Sequence, residues 1–412
     1  MSGRRRCVNL DWLEVHVYEP LTEPRTAEYF RSTGFVVHER EYGTRVYRSM
    51  FTLEDTNGQP FIEVRRDPKS TGDIGIHQIN ECHLRLHNRA CYYDNAADLM
   101  AQFIVRYGYE FQRISRVDVC LDFERFDFGD LPAKFVERYL KHRYAKINQA
   151  NIHAHGADEW AGQSWNSLSW GVQTSQVSTK LYNKTLQLAQ VKDKPYIRWS
   201  WYECGLVDEP IHCTKTKADG TTYTPDIWRV EFSVRSSVKR WFVIEQNGKR
   251  KDYRSIRNTL EMWTGRDNLW KMWASLAHHY FHFKKYRPNV RKDRCEDKLL
   301  FDLSSESEFY KIEKLPGIVP QSSELERLMR KLNEYRIRHY DDKLRDAVDI
   351  IIRAIKDEQV VSDVGGIFSW AEIQAIRQTF ALKQKYPDLD PARTMKLLFD
   401  AALHPDEHFG EE

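Results

Sequence analysis

The sequence predicts an α+β protein: a central, largely antiparallel sheet with flanking helices, followed by a C-terminal helical module. Three observations point there. Short runs with a period of two recur through roughly the first 300 residues, and that period puts alternate side chains of a strand on opposite faces. Helical stretches fall between groups of strands rather than after every strand, which favours antiparallel pairing over repeated βαβ units. Beyond a break rich in proline and glycine the apolar period becomes helical.

Taken in order, LEVHVY, the VVHEREYGTRVYRSMFTL region, PFIEVRR and ECHLRLH read as strands, separated by turn signals such as TNGQP. AADLMAQFIVRYGYEF predicts a helix, RVDVCLDF (116–123) a strand, LPAKFVERYLKHRYAKI a second helix, and VSTKLYNK and DIWRVEFSVR two further strands. This order is what two related α+β halves around one sheet would give. Pro316, Gly317 and Pro320 then interrupt regular structure. After them Ser323 and Glu326 fit a capping box, and Leu325, Leu328, Met329 and Leu332 keep helical spacing. The expected organisation is therefore a domain at 1–310, a linker at 311–322 and a helical module at 323–412.

With 30% charged and 41% hydrophobic residues, the 412-residue chain has the composition of a folded protein, not a disordered one. A net charge of +3 does not by itself announce a nucleic-acid partner. Cysteines at 7, 82, 91, 120, 204, 213 and 295 form no CxxC pair, which suits free thiols in a reducing compartment. MSGRRRCVNLDW lacks the apolar run of a signal peptide and no stretch approaches a membrane span, so a cytoplasmic protein with no membrane partner is expected.

Three strands carry apolar backs and charged fronts. In RVDVCLDF the second face holds Arg116, Asp118, Cys120 and Asp122; in DIWRVEFSVR it holds Arg229, Glu231, Ser233 and Arg235; in STKLYNK it holds Lys180, Tyr182 and Lys184. An antiparallel sheet often wets one face. Carboxylates mixed with arginine are less ordinary there, since a buried carboxylate without a partner costs several kcal/mol. Asp118 and Asp122 lie roughly 13 Å apart along a regular strand, so one ion would more easily take one of them together with Glu231. Such hard oxygen donors select Mg²⁺ or Mn²⁺ over zinc. Tyr182 either packs its ring as a strand tyrosine or serves as a nucleophile, which at neutral pH needs activation; Lys184, roughly 6.6 Å away at strand spacing, could stabilise phenolate or phosphate charge.

Basic residues also cluster with aromatics. VKRWFVIEQNGKRKDYRSIRN sets Lys239, Arg240, Lys249, Arg250, Lys251 and Arg254 around Trp241, Phe242 and Tyr253, as a DNA-binding surface or a solvated basic helix would. His278 and His282 fall i, i+4 on a predicted helix, a ligand spacing with no acid placed to complete it. Trp160, Trp165 and Trp170 fit hairpin packing better than base clamping.

In their order and spacing NLDWLEV, RVDVCLDF, TKLYNK and WRVEFSVR resemble the replication initiation factor family (Rep_trans), which includes rolling-circle plasmid initiators, filamentous-phage replication proteins and related relaxases. The resemblance covers about residues 9–300. It implies an HUH-like or RRM-like fold and a metal-dependent nickase whose tyrosine attacks a phosphodiester at an origin, keeps the 5′-phosphate and frees a 3′-OH. By matched position Tyr182 is the nucleophile, and Asp118 and Glu231 hold Mg²⁺ or Mn²⁺ with Asp122 as a further acid. Arg116 and Lys184 assist catalysis, while Lys180, Arg229, Arg235 and the basic segment hold DNA. Implied partners are origin DNA, single-stranded or melted, a host helicase and polymerase, and a second copy of the chain. The family's Ser-Gly-x-Gly-Cys-Arg-like run is replaced by LRLHNRACYYD, where Arg85, His87 and Ala90 depart from pattern. Glu81, His83 and His87 share a face of ECHLRLH and one of them could serve as the substitute ligand; the His-hydrophobic-His pair of other rolling-circle nucleases is absent. Trp201 to Pro225 reads as an insertion. The competing expectations are a relaxase with the same chemistry, a non-catalytic DNA-binding regulator on the same fold, and an RNA-binding sheet. The last would show exposed aromatics where these strands show carboxylates.

Overall fold

The computed structural model describes residues 5–69, 79–147, 152–157, 164–172, 175–190, 193–235, 241–246, 250–255, 260–291, 294–303 and 310–313, with the backbone path alone for 155–157, 164–165, 241–246, 250–255 and 313. The helical module expected at 323–412, most of the expected linker, Trp160, Lys239, Arg240 and Lys249 lie outside the described residues. All described residues belong to one compact unit made of 1–69 and 78–314.

Its centre is a ten-stranded sheet whose described pairings are all antiparallel. In chain order the first half gives Cys7–Tyr18 (β1), Val37–Glu39 (β2), Tyr47–Glu54 (β3), Pro60–Pro68 (β4) and Glu81–Leu86 (β5), with helix Ala27–Ser32 (α1) after β1 and Ala96–Arg106 (α2) after β5. The second half repeats the plan. Glu110–Phe123 (β6) precedes helix Pro132–Leu140 (α3) and a short strand Tyr144–Lys146 (β7); then come Ile152–Ala157 (β8), Ser164–Trp170 (β9) and Val177–Asn183 (β10). Helices Lys184–Gln190 (α4) and Pro195–Glu203 (α5) and the ribbon Lys215–Thr216 (β11) and Thr222–Tyr223 (β12) intervene before Trp228–Arg235 (β13), which helix Arg266–Tyr280 (α6) follows. The sheet order, β2-β3-β4-β5-β1-β6-β13-β10-β9-β8, is five strands matched by five. Leu13 pairs with Val117 at the seam, and the flanking pairs Trp12–Asp118 and Glu14–Arg116 exchange under a twofold through that point. The two related halves are thus visible in the register itself.

Trp241–Gln246 (β14) and Arg250–Ser255 (β15) form a hairpin with Lys311–Glu313 (β18), so the basic segment is a strand pair rather than a helix, and the stretch expected to begin the linker adds a strand. Phe283–Lys285 (β16) joins Asp297–Lys298 (β17) and β7 in a small sheet.

The period of two explains the layers. Leu13, Val15, Val17, Leu84, Val117, Val119, Leu121, Val230, Phe232 and Leu181 are buried together with Phe30 of α1, Met100 and Phe103 of α2, Phe135 of α3 and Trp273 of α6. Trp170 is buried in this core and donates its indole N–H to Tyr139 Oη at 3.1 Å, so it packs and does not clamp bases. Two predicted boundaries move for a local reason. The helix expected through Phe111 stops at Arg106 because Gly108 takes φ +66°, and β6 starts at Glu110. α6 ends at Tyr280, so His282 is not on a helix with His278; it pairs instead with Asp297 at 2.6 Å. No described helix is long and apolar enough to cross a membrane.

Candidate active site

The face opposite α1, α2, α3 and α6 is polar from β4 to β10. Along it, β6 and β13 are in register so that Glu231 lies opposite Cys120 and Ser233 opposite Asp118, while β10 sets Lys180 opposite Glu231 and Tyr182 opposite Arg229. An open cleft of ≈ 640 Å³ lies over this part of the sheet, and Arg116, Asp118, Lys180, Tyr182, Lys184 and Glu231 all line it. Six of the residues expected from sequence therefore meet in one place.

Tyr182 Oη donates to Glu231 Oε2 at 2.8 Å. Lys180 Nζ lies 3.4 Å from the other oxygen, Oε1. Lys184 is not on the strand, as its spacing suggested, but opens α4; that turn brings its Nζ to 3.5 Å from Tyr182 Oη and 2.7 Å from Gln187 Oε1. Arg116 donates to both oxygens of Asp118 and lies 4.4 Å from the Trp12 ring. Burial, with the like charge of Glu231, pushes the Asp118 carboxyl up to about 6 despite Arg116. Burial, with the positive charge of Arg229, pushes the Lys184 ammonium down to about 8. Burial and Glu231 push the Tyr182 phenol well above its ordinary range.

Asp122 and Arg229 stand apart. Both are 0% exposed, and Arg229 grips Asp122 through Nε at 2.6 Å and Nη2 at 2.7 Å. Trp201 Nε1 donates to the same carboxylate at 2.6 Å, and Arg229 reaches Asp11 and Tyr92 at 2.9 Å each. The acid expected to join a metal and the arginine expected to hold DNA thus satisfy each other, away from the cleft. Against the upward push of burial, Arg229 and Lys184 hold the Asp11 carboxyl far below its usual value. Arg235 is half-buried at the end of β13, in register with Arg116. Arg250, Lys251 and Arg254 lie on β15, where the backbone path alone is described.

The insertion has a purpose in the fold. Ile197 and Trp201 of α5 make a second small core with Cys7, Leu206, Val207 and Ile227, which covers the Asp122 end of the polar face. Asp11, Tyr92 and Trp201 are the members that sequence reasoning did not single out. Strict alternation would put Asp11 with the apolar residues, but a bulge between Leu10 and Trp12 turns it toward Arg229.

A second cluster sits on the polar face of the first half. His16, Glu81 and His83 offer ligand atoms that all lie within 4.8 Å of one another, and this group fits a divalent metal. His87 and Arg85 are not in it. His16 was legible in LEVHVY, which alternates it with Glu14 onto one face, just as ECHLRLH does Glu81 and His83.

No family model and no curated protein matches the chain. Among solved structures it is similar to the rolling circle replication initiator protein from Geobacillus stearothermophilus, at 14% identity and a TM-score of 0.42, with 72% of this chain and 93% of that chain covered.

Proposed function

We propose that the protein initiates rolling-circle replication by nicking one DNA strand with Tyr182. The observation that carries this reading is the Tyr182 hydroxyl itself, at the cleft between the Glu231 carboxylate at 2.8 Å and the Lys184 ammonium at 3.5 Å. A tyrosine kept only for packing needs neither neighbour. As Tyr182 Oη attacks phosphorus, its proton passes to Glu231. The P–O3′ bond breaks, the 3′ oxygen takes a proton from Lys184, and the 5′-phosphate stays on the tyrosine. The reverse sequence rejoins the strand. A lysine near pH 8 is matched to donating a proton under neutral conditions. Arg116 and Lys180 supply cations to the phosphate oxygens.

Asp118 and Glu231 are two oxygen donors, 2% and 5% exposed, and burial together with the like charge of Glu231 raises Asp118. That donor set fits Mg²⁺ or Mn²⁺, with Arg116 and Lys180 giving up the carboxylates they now hold. A bound ion would polarise the phosphate. Asp122 does not belong to this set, since Arg229 and Trp201 occupy its oxygens. A relaxase of a mobilisable element would use the same chemistry.

The test is cleavage of the element's own DNA, single-stranded and supercoiled, with Mg²⁺ or Mn²⁺, scoring covalent protein–DNA adducts on a denaturing gel. Wild type should form adducts that disappear with EDTA and in Tyr182→Phe. Adducts undiminished in that variant would move the nucleophile to another tyrosine, and tight binding without cleavage would favour a regulator.

A further inference from the structure

The twofold relation between the halves gives strand residues of the Tyr182 cleft counterparts in the first half. Exchanging β1 with β6 about the Leu13–Val117 pair carries Asp118 onto Glu14 and Cys120 onto His16. Because His83 faces His16 as Glu231 faces Cys120, Glu231 maps onto His83. Arg65 faces His83 as Lys180 faces Glu231, so Lys180 maps onto Arg65. The sequence of β4, PFIEVRRDP, has no tyrosine. What the first half holds at this position is a set of metal-ligating groups, with no tyrosine in the place of Tyr182 on β4.

We infer that His16, Glu81 and His83 form a transition-metal site, separate from the Asp118–Glu231 pair, that takes zinc or an ion of similar Lewis acidity. Two imidazoles and one carboxylate favour such ions over Mg²⁺. Three features beyond proximity support this. His16 is 2% exposed; its Nε2 meets only Glu81 Oε1, at 3.0 Å, and its Nδ1 has no hydrogen-bond partner among the described residues. A buried imidazole in that condition is costly unless something else takes its lone pair. His83 Nδ1 lies 2.9 Å from Glu14 Oε1, so that with Nδ1–H donating to this carboxylate Nε2 is left to ligate. Glu14 in turn is held by Arg65 at 3.1 Å and by the Trp12 indole at 3.2 Å, and Tyr47 Oη donates to Glu81 at 3.3 Å. A carboxylate behind a histidine and a hydroxyl behind a carboxylate are the supports that metal ligands ordinarily have.

Tetrahedral zinc at bond lengths of about 2.1 Å would set its ligands about 3.4 Å apart, so the 4.8 Å spread must contract slightly. His83, whose side chain is 22% exposed, can supply that movement and marks the side from which an ion enters. Three protein ligands leave a coordination position for water or an oxygen ligand. The site stands whether or not Tyr182 cleaves DNA.

The experiment is titration of the chelator-stripped full-length protein with Zn²⁺ against a competing chromophoric chelator, and with Co²⁺ read by its visible absorption. One ion should bind per chain, with a Co²⁺ spectrum of mixed nitrogen and oxygen ligation. Binding should be lost in His83→Gln and weakened 10- to 100-fold in Glu14→Gln, which leaves all three ligands in place. Asp118→Asn should leave it unchanged. Circular dichroism of each variant in the absence of metal separates lost binding from lost folding. Absence of binding by wild type, undiminished binding by both His83→Gln and Glu14→Gln, or loss in Asp118→Asn alone would overturn the inference.

Discussion

The residue on which the proposed chemistry turns most sharply is Lys184. Its side chain is buried at the first turn of α4, and the same burial that makes its charge expensive makes its proton easy to give. Below about pH 8 the group is protonated and serves as the acid for the 3′ oxygen; above it the acid is lost. Single-turnover cleavage should therefore fall about tenfold for each pH unit well above 8. Lys184→Met should flatten that limb while lowering the rate by about 10²–10⁴-fold. A limb that persists unchanged in Lys184→Met would assign the titration to another group. Lys184 was named from sequence for its spacing to Tyr182 along a strand, yet it reaches the hydroxyl because the strand ends at Asn183. The partners were legible in the sequence; the turn that joins them was not.

At the scale of elements, α5 decides which part of the polar face stays open. Trp201 is buried in its small core and donates to Asp122, so one side chain both fills apolar space and completes a buried ion pair. Trp201→Phe keeps most of the ring and leaves one Asp122 oxygen short of a donor, which should cost about 1–3 kcal/mol. Trp201→Ala also opens a cavity and should cost about 3–5 kcal/mol. Urea unfolding of the two variants measures both, and a Trp201→Phe protein as stable as wild type would mean that Arg229 alone satisfies Asp122. This covering also explains what the sequence could and could not reveal. The alternation in RVDVCLDF and WRVEFSVR is local and correctly places Asp118, Asp122, Arg229 and Glu231 on one face. Nothing local says that a helix about 80 residues further on caps only one end of that face. Two equivalent-looking carboxylates thus acquire different surroundings: Asp118 in the cleft, Asp122 sealed with Arg229. The same limit applied to Asp11, whose orientation depends on a bulge.

Over the whole molecule, the net charge of +3 conceals an uneven distribution that the sheet creates. Arg116, Lys180, Lys184 and Lys194 come from four different elements or their edges and converge on a single cleft. In the first half Arg65, equivalent in register to Lys180, is more fully engaged, held between Glu14 and Glu63. Lys180, by contrast, keeps a side chain that is 47% exposed with one acidic partner at 3.4 Å. A strand of DNA should therefore be tracked by the second half of the sheet and not by the first. Each phosphate neutralised on single-stranded DNA contributes a slope of about −0.7 to log K against log salt concentration. Lys180→Ala should make that slope shallower by about 0.7 and weaken binding to every sequence alike. Lys141→Ala should change neither quantity, because Lys141 caps α3 on the opposite side of the sheet and is paired with Glu137. Fluorescence anisotropy with a labelled oligonucleotide across a salt series measures both variants. If the two slopes match wild type, DNA does not run over this cleft, and Tyr182 loses the substrate that its surroundings imply.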